Sequence, residues 1–266
     1  MSEAAEPLFI VRNIIKTFTG VCGPVTVLDN ISLDIHEGQC LMIAGSNGSG
    51  KTLLMRIITG LLEPSGGEVF FRGQPLCGQH RSAARRETEK RLRREVGLVF
   101  QDADAQIVGE TVWEDAAFGP ENLGLNAAEA KTRADQALTG LGLADKRDNA
   151  PRQLSGGEKR RLAAAGVLAM GCGTVIMDEP FANLDWTGVV QTLNIIRGLK
   201  DSGKTLIILT HELEKALALA DRLVILHRGV IRADGEPARV LDSLDPCWGV
   251  RDPRRNYACV KDCSWL

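Results

Sequence analysis

Four residues in GSNGSGKT, residues 45–52, meet the pattern GxxxxGK[ST]: Gly45, Gly50, Lys51 and Thr52. Glycines let a backbone turn its N–H groups inward around an anion, and a helix starting directly behind them adds its positive end. Ser46, Asn47, Gly48 and Ser49 fill the turn with small side chains, so nothing blocks a phosphate. The Lys51 ammonium can rest on the outer phosphates of a polyphosphate, and the Thr52 hydroxyl can hold Mg²⁺. Two acids, Asp178 and Glu179, close the apolar run TVIMDEP at 174–180. At a strand tip the first would face the metal, and the second would orient or deprotonate an attacking water beside the terminal phosphate. Ser155, Gly156 and Gly157 stand before a helical run and make a second anion site from an N-cap and two bare positions. A chain with one polyphosphate hardly needs two.

These groups require elements to carry them. Residues 8–13 and 26–35 show short β-type runs, with a turn at 37–39, so the start of the chain predicts a sheet. CLMIAG, 40–45, predicts a strand buried on both faces, and LLMRIITGLL, 53–62, a buried helix. EVGLVFQD, 95–102, is strand-like and ends in Gln101. Residues 106–143 have helical composition with loop signals at Gly119-Pro120 and at Gly124. The run 152–170 predicts a helix with basic residues on one side and Leu162, Ala165, Leu168 and Ala169 on another. TLIILT, 205–210, is a last buried strand leading into His211.

Composition bounds the remaining possibilities. With 266 residues, 44% of them apolar, the chain can bury a substantial core. A net charge of -2 argues against a basic nucleic-acid surface, and the run from Arg81 to Arg94, salted with Glu87 and Glu89, predicts a solvated amphipathic helix. Seven cysteines at irregular spacing form neither a disulfide framework nor a paired CxxC metal site. Reduced thiols in a cytosolic protein are the simpler reading. The start, MSEAAEP, is not that of a secretory signal, and no run approaches the roughly 18 apolar residues of a membrane span, so a membrane role has to come through a partner. His36, His80 and His227 are read as surface or packing residues.

In order, GSNGSGKT, Gln101 after an apolar strand, LSGGE at 154–158, TVIMDEP, FANLD at 181–185 and LTHE at 209–212 resemble the ATP-binding cassette ATPases over residues 8–240. The resemblance implies an α/β fold: a P-loop NTPase core with a mixed sheet and flanking helices, an N-terminal antiparallel β subdomain, and an inserted α-helical subdomain at about 102–165. It implies a nucleotide-binding domain over 1–240; the short tail that follows, 241–266, is expected from its size alone to cap the core or help dimerise. The resemblance places Phe18 against adenine, Gly45 to Thr52 around the phosphates, and Gln101 near Mg²⁺ and the water. Ser155, Gly156 and Gly157 would reach the γ-phosphate held by another subunit. Asp178 would hold Mg²⁺, Glu179 would be the catalytic carboxylate, Asp185 would lie in a loop crossing the dimer interface, and His211 would contact the γ-phosphate. ATP and Mg²⁺ are thereby the expected ligands.

The stretch 99–125, VFQDADAQIVGETVWEDAAFGPENLGL, is similar to the ATPase subunits of energy-coupling factor importers, the group for vitamins and for cobalt or nickel. Asp102-Ala103 stands where Asn-Pro is usual in that group, and Ser46 stands where many relatives have proline. The implied partners are a second cassette, identical or related, a transmembrane coupling subunit docked beside Gln101, and a substrate-capture membrane protein, at the cytoplasmic face of the membrane. A conventional importer or exporter ATPase and a soluble cassette protein are the alternatives; the soluble class would need a long inserted coiled coil or a second cassette in the chain, and neither is present.

Overall fold

The computed structural model describes residues 6–20, 23–78 and 83–254. His80, Arg81, Cys22, Cys259, Cys263 and Trp265 lie outside them. In chain order the elements are β1 (Phe9–Gly20), β2 (Gly23–Ile35), β3 (Cys40–Ala44), α1 (Lys51–Ile58), β4 (Gly66–Phe71), β5 (Gln74–Cys77), α2 (Ala83–Glu95) and β6 (Val96–Val99). Then come α3 (Val112–Asn122), α4 (Ala127–Gly140), α5 (Gly156–Met170), β7 (Thr174–Asp178), α6 (Trp186–Asp201) and β8 (Thr205–Thr210). The last are α7 (Leu213–Ala216), β9 (Arg222–His227), β10 (Val230–Gly235) and α8 (Pro237–Asp242).

Two sheets organise the chain. An antiparallel sheet has the order β2-β1-β4-β5, and a mixed sheet has the order β10-β9-β3-β8-β7-β6, parallel except for the edge pair β9–β10. Side chains alternate across a strand, so a central parallel strand must be apolar on both faces. In β3, Leu41 and Ile43 enter one core layer with α1 and the antiparallel sheet. Cys40, Met42 and Ala44 enter the layer on the other face with α6. Burial pushes the Cys40 thiol up to about 11 and the Cys77 thiol up to about 12, so both stay protonated at neutral pH. A third apolar cluster binds α3, α4 and α5 together, from Val112 to Ala169.

The first strand is longer than its sequence suggests. Pairing of β1 with β2 shifts register after Val11, Ile14 and Lys16, and Asn13 sits at φ +50°. These bulges break the alternation that identifies a strand, which is why only 8–13 is legible as one. The β1–β4 pairing stops at Ile15↔Gly66, so the β1–β2 hairpin overhangs its neighbour and carries Phe18 out with it.

The expected loop at Gly119-Pro120 is corrected by the structure. Helix α3 runs through both residues, with Pro120 buried in its last turn, and the chain turns only at Gly124, φ +81°. Pro120 has no N–H to give the Ala116 carbonyl, but only Glu121 and Asn122 of α3 lie beyond it, so little helix is lost to the break. The glycine has a packing reason: a Cβ at Gly119 would lie 2.5 Å from Met170 Cγ and 3.4 Å from the Gly166 carbonyl oxygen of α5. At the other end Thr111 and Glu114 form a capping box, which fixes where α3 begins. A branched side chain at this crossing would overpack it. Gly119→Val is expected to destabilise the protein by about 1–3 kcal/mol in urea unfolding; an unchanged midpoint would mean that α3 and α5 do not meet so closely.

Candidate functional site

The parallel pairing brings the ends of β3, β7 and β8 side by side, with Ala44 opposite Thr210 and Asp178 opposite Leu209. The groups that follow these ends are therefore neighbours in space although 45, 178 and 211 are far apart in sequence. After β3 the chain turns back on itself into α1. A Cβ on Gly45 would strike the Leu226 carbonyl oxygen at 2.2 Å and Ser49 Oγ at 2.6 Å, and Gly50 caps α1 in a left-handed conformation at φ +105°. Only glycine meets both demands.

Lys51 and Glu179 are both nearly sealed from solvent, at 5% and 6% side-chain exposure, with Lys51 Nζ 3.2 Å from Glu179 Oε1. Lys51 Nζ also donates to the carbonyl oxygens of Gly45, at 2.7 Å, and Ser46, at 3.2 Å. The other oxygen of Glu179 lies 2.9 Å from His211 Nδ1 and accepts from the His211 backbone N–H at 3.3 Å. Glu179 itself is left-handed at φ +47°, while its N–H still donates to the Leu209 carbonyl at 2.8 Å. A non-glycine residue held there carries backbone strain of order 1–3 kcal/mol, which the surrounding ladder holds in place. The strain turns the carboxylate out of the sheet and toward the loop.

Thr52 Oγ1 donates to Asp178 Oδ2 at 2.7 Å, and Asp178 Oδ1 is buried with no partner. Burial raises the Asp178 carboxyl above its ordinary range; the Thr52 hydroxyl pulls it back, and the neighbouring Glu179 charge raises it further. A carboxylate oxygen left unpaired beside a hydroxyl is the donor set a hard divalent cation takes, so Thr52 and Asp178 fit Mg²⁺. Ser49 Oγ is a second buried, unpartnered oxygen in the loop.

A cleft of about 490 Å³ is lined by Phe18, Asn47, Gly48, Ser49, Gly50, Lys51, Thr52, Gln101 and Glu179. Phe18 stands at 44% exposure with Lys16 Nζ 5.2 Å from its ring centroid. Asp178 joins the cleft through Thr52, His211 through Glu179, and Gly45 and Ser46 through Lys51. A larger, mainly apolar hollow of about 610 Å³ lies between α4, α5 and α6 and is lined by none of these residues.

Ser155, Gly156, Gly157 and Asp185 do not line the cleft. Ser155 caps α5: its hydroxyl accepts from the Glu158 N–H at 3.3 Å, and its own N–H donates to Glu158 Oε2 at 2.8 Å. Lys146 pairs with Glu158, and that contact, helped by the Ser155 N–H, holds the carboxyl down to about 2. A Cβ on Gly156 or Gly157 would meet nothing within 4 Å, so packing within the chain does not call for either glycine. Asp185 caps α6 by accepting from the Gly188 N–H at 2.7 Å.

Sequence reasoning passed over two connecting residues. Arg160, on α5, donates to the Gln101 carbonyl at 3.2 Å and also to the Ala182 carbonyl, joining the loops after β6 and β7. Gln106 accepts from the Phe100 N–H at 2.9 Å and donates to the Leu98 carbonyl at 3.1 Å. Their signal was only a polar residue in a helix or loop, which becomes meaningful once the partners are in place.

The family model described as ABC transporter matches residues 28–182. The cobalt import ATP-binding protein CbiO of Rhodobacter capsulatus is 44% identical over 219 residues, 82% of this chain and 76% of that protein. The energy-coupling factor transporter ATP-binding protein EcfA1 of Clostridium novyi is 39% identical over 218 residues, 82% of this chain and 75% of its own length. Among solved structures, CbiO1 from Clostridium perfringens, described as part of the CbiONQ transporter complex, superposes with a TM-score of 0.75 at 32% identity, covering 89% of this chain and 91% of that one. A dimeric ATP-binding cassette solved after hydrolysis with ADP and Pi gives a TM-score of 0.76 at 27% identity, covering 86% of this chain and 98% of the other. On the strength of this match and of the motifs gathered in the cleft, the chain belongs to the ABC transporter family.

Proposed function

We propose that this ABC-family ATPase powers a membrane importer of the energy-coupling factor type, carrying cobalt, nickel or a vitamin such as biotin. The observation that carries the ATPase reading is the Lys51–Glu179–His211 chain, with its lysine and glutamate buried at a glycine-lined cleft and its histidine partly open to solvent. The importer type is supported by the relatives named for cobalt import and energy coupling.

In this reading adenine stacks on Phe18, and the phosphates lie along residues 45–52. Their β- and γ-oxygens meet the Lys51 ammonium, which the Gly45 and Ser46 carbonyls hold in the loop. A water attacks the γ-phosphorus in line, its proton goes to Glu179, and the bond to the β–γ bridging oxygen breaks to leave ADP and phosphate. His211 holds the Glu179 carboxylate and the water in register, and Gln101 borders the same space. Mg²⁺, held by Thr52, Asp178 and Gln101, would neutralise charge on the β- and γ-phosphates. Most of the rate comes from placing charge and water, since phosphoryl transfer leaves a protein little covalent work.

The cleft is one half of the site. Gly156 and Gly157 have open space where side chains would stand, and Ser155 caps their helix, so these N–H groups suit an anion brought by a second copy. Trp186, 81% exposed directly behind Asp185, offers such a copy a large apolar contact. Two cassettes, identical or related, would then close head to tail on two nucleotides, with closure driving the membrane partners. Residues 1–240 form the nucleotide-binding domain here, 102–165 its helical subdomain and 241–266 a C-terminal segment. Among the described residues no helix is long and apolar enough to cross a membrane. The ATPase would therefore sit peripherally at the cytoplasmic face, held by a transmembrane coupling subunit beside Gln101 and served by a substrate-capture membrane protein.

Three outcomes test this reading. Lys51→Ala is expected to abolish nucleotide binding in calorimetric titration, and retained affinity would remove the loop from its role. Glu179→Gln is expected to bind ATP but turn over about 100-fold or more slowly, accumulating a nucleotide-dependent dimer in gel filtration; normal turnover would exclude Glu179 as the catalytic carboxylate. Mixing Ser155→Arg with Lys51→Ala chains is expected to restore one working site of two, and absence of any rescue would show that each chain acts alone.

A further inference from the structure

The chain returns to the phosphate loop after its last helix. Beyond α8 a 3-10 turn at Pro246–Trp248 is started by Asp245, whose side chain accepts from the Cys247 N–H at 2.8 Å, and ends at Gly249 in a left-handed conformation, φ +70°. Gly249 stands directly against Ser46: a Cβ there would lie 3.3 Å from Ser46 Cβ and 3.5 Å from Ser46 Oγ. The segment is fastened on both sides of that contact. Val250, 6% exposed, is buried in the core layer of Val240 and Leu241, and Leu244 and Trp248 pack on the same layer. His227, the last residue of β9, has Nδ1 3.0 Å from the Trp248 carbonyl oxygen. A carbonyl oxygen can only accept, so Nδ1 carries the proton and donates it.

The same strand end supports the loop from a second side. The Leu226 carbonyl is the atom that excludes a Cβ from Gly45, and the Gly229 N–H, in the β9–β10 turn, donates to the Ser49 carbonyl at 3.0 Å. Gly45, Ser46 and Ser49 thus rest on one patch made of the end of β9, its turn and the C-terminal segment, and the His227–Trp248 hydrogen bond joins the two halves of that patch. Ser46 is not a passive member of the loop, since its carbonyl is one of the two that accept from Lys51 Nζ. A displacement of Ser46 moves an anchor of the ammonium that meets the phosphates.

We propose that His227, Trp248 and Gly249 are positioning residues for nucleotide binding, bracing the phosphate loop through Ser46 so that Lys51 is held where the phosphates arrive. The proposal rests on the reading of residues 45–52 as the phosphate-binding loop and goes beyond it by assigning the C-terminal segment a part in the site.

The test is ADP affinity of the full chain by calorimetric titration, with kcat and KM for ATP measured alongside and every variant assayed well below its own Tm. His227→Ala is expected to raise the ADP Kd and the ATP KM about 5-fold while kcat at saturation is kept, in the range of coupling between groups in contact. His227→Phe, which keeps the volume and loses the donor, should do the same and carries the test if the alanine variant folds poorly. His227→Asn, whose amide N–H can replace Nδ1, should return to within about 2-fold of the parent. In a Ser46→Gly background His227→Ala should add no further loss, because the path runs through the Ser46 side chain; a packing defect alone would add its full effect there. Parental affinity in His227→Ala and His227→Phe, or an undiminished loss in the Ser46→Gly background, would overturn the brace. If Lys51→Ala abolishes ADP binding while the His227 variants do not change it, the loop reading stands and the brace falls. If Lys51→Ala binds ADP as the parent does, the loop reading fails and takes the brace with it.

Discussion

An ammonium and a carboxylate 3.2 Å apart, each with about a twentieth of its surface open, are the contact on which this molecule turns. Removing either ion from water costs on the order of several kcal/mol, and the pair is tolerated only because each partner has further hydrogen bonds. Lys51 has the Gly45 and Ser46 carbonyls, and Glu179 has two N–H groups of His211 to draw on. A pair so costly to bury is poor support for stability by itself. It makes sense as a preorganised site, where a charge that is already desolvated needs no reorganisation when a phosphate arrives.

Holding that pair requires the rest of the fold. The ammonium is on the first turn of α1, behind β3, the carboxylate follows β7, and the imidazole follows β8; their separation is set by the pairing of these three strands. The strands can pair because each is apolar on both faces and has a core layer above and below. Glu179 leaves the sheet through a left-handed residue, which strains the backbone and aims the carboxylate at Lys51. The antiparallel sheet adds Phe18 to the cleft lining, and the helical cluster carries Ser155, which does not line that cleft.

The motifs were legible because they are local. A glycine loop followed by lysine and threonine, two acids after an apolar run, and a serine before two glycines each place their chemistry within a few residues, so spacing alone gives the geometry. Buried strands such as 40–44 and 205–210 were legible for the related reason that their apolar runs are unbroken. Phe18 lay beyond bulges that erase the period of two, and its place in the site depended on the resemblance and then on the hairpin overhang. The Gly119-Pro120 pair misled because both residues usually break helices, whereas here the glycine admits Met170 and the proline stands in the last turn, with only Glu121 and Asn122 of the helix beyond it.

What the sequence by itself determined is the inventory of the site and the elements that bear it: the phosphate cradle, the acids, the capped helix at 155, and the family that combines them in this order. Those features depend on neighbours along the chain, where residue type and spacing act directly. What only the tertiary structure decided is which groups meet. The bonding of Glu179 to both Lys51 and His211, the Arg160 link between two loops, and the seating of Gly249 on Ser46 join residues from 22 to over 200 positions apart, and the same packing leaves one oxygen of Asp178 without a partner. Such contacts are fixed by strand register and close packing, and neither quantity is written in any short stretch of residues.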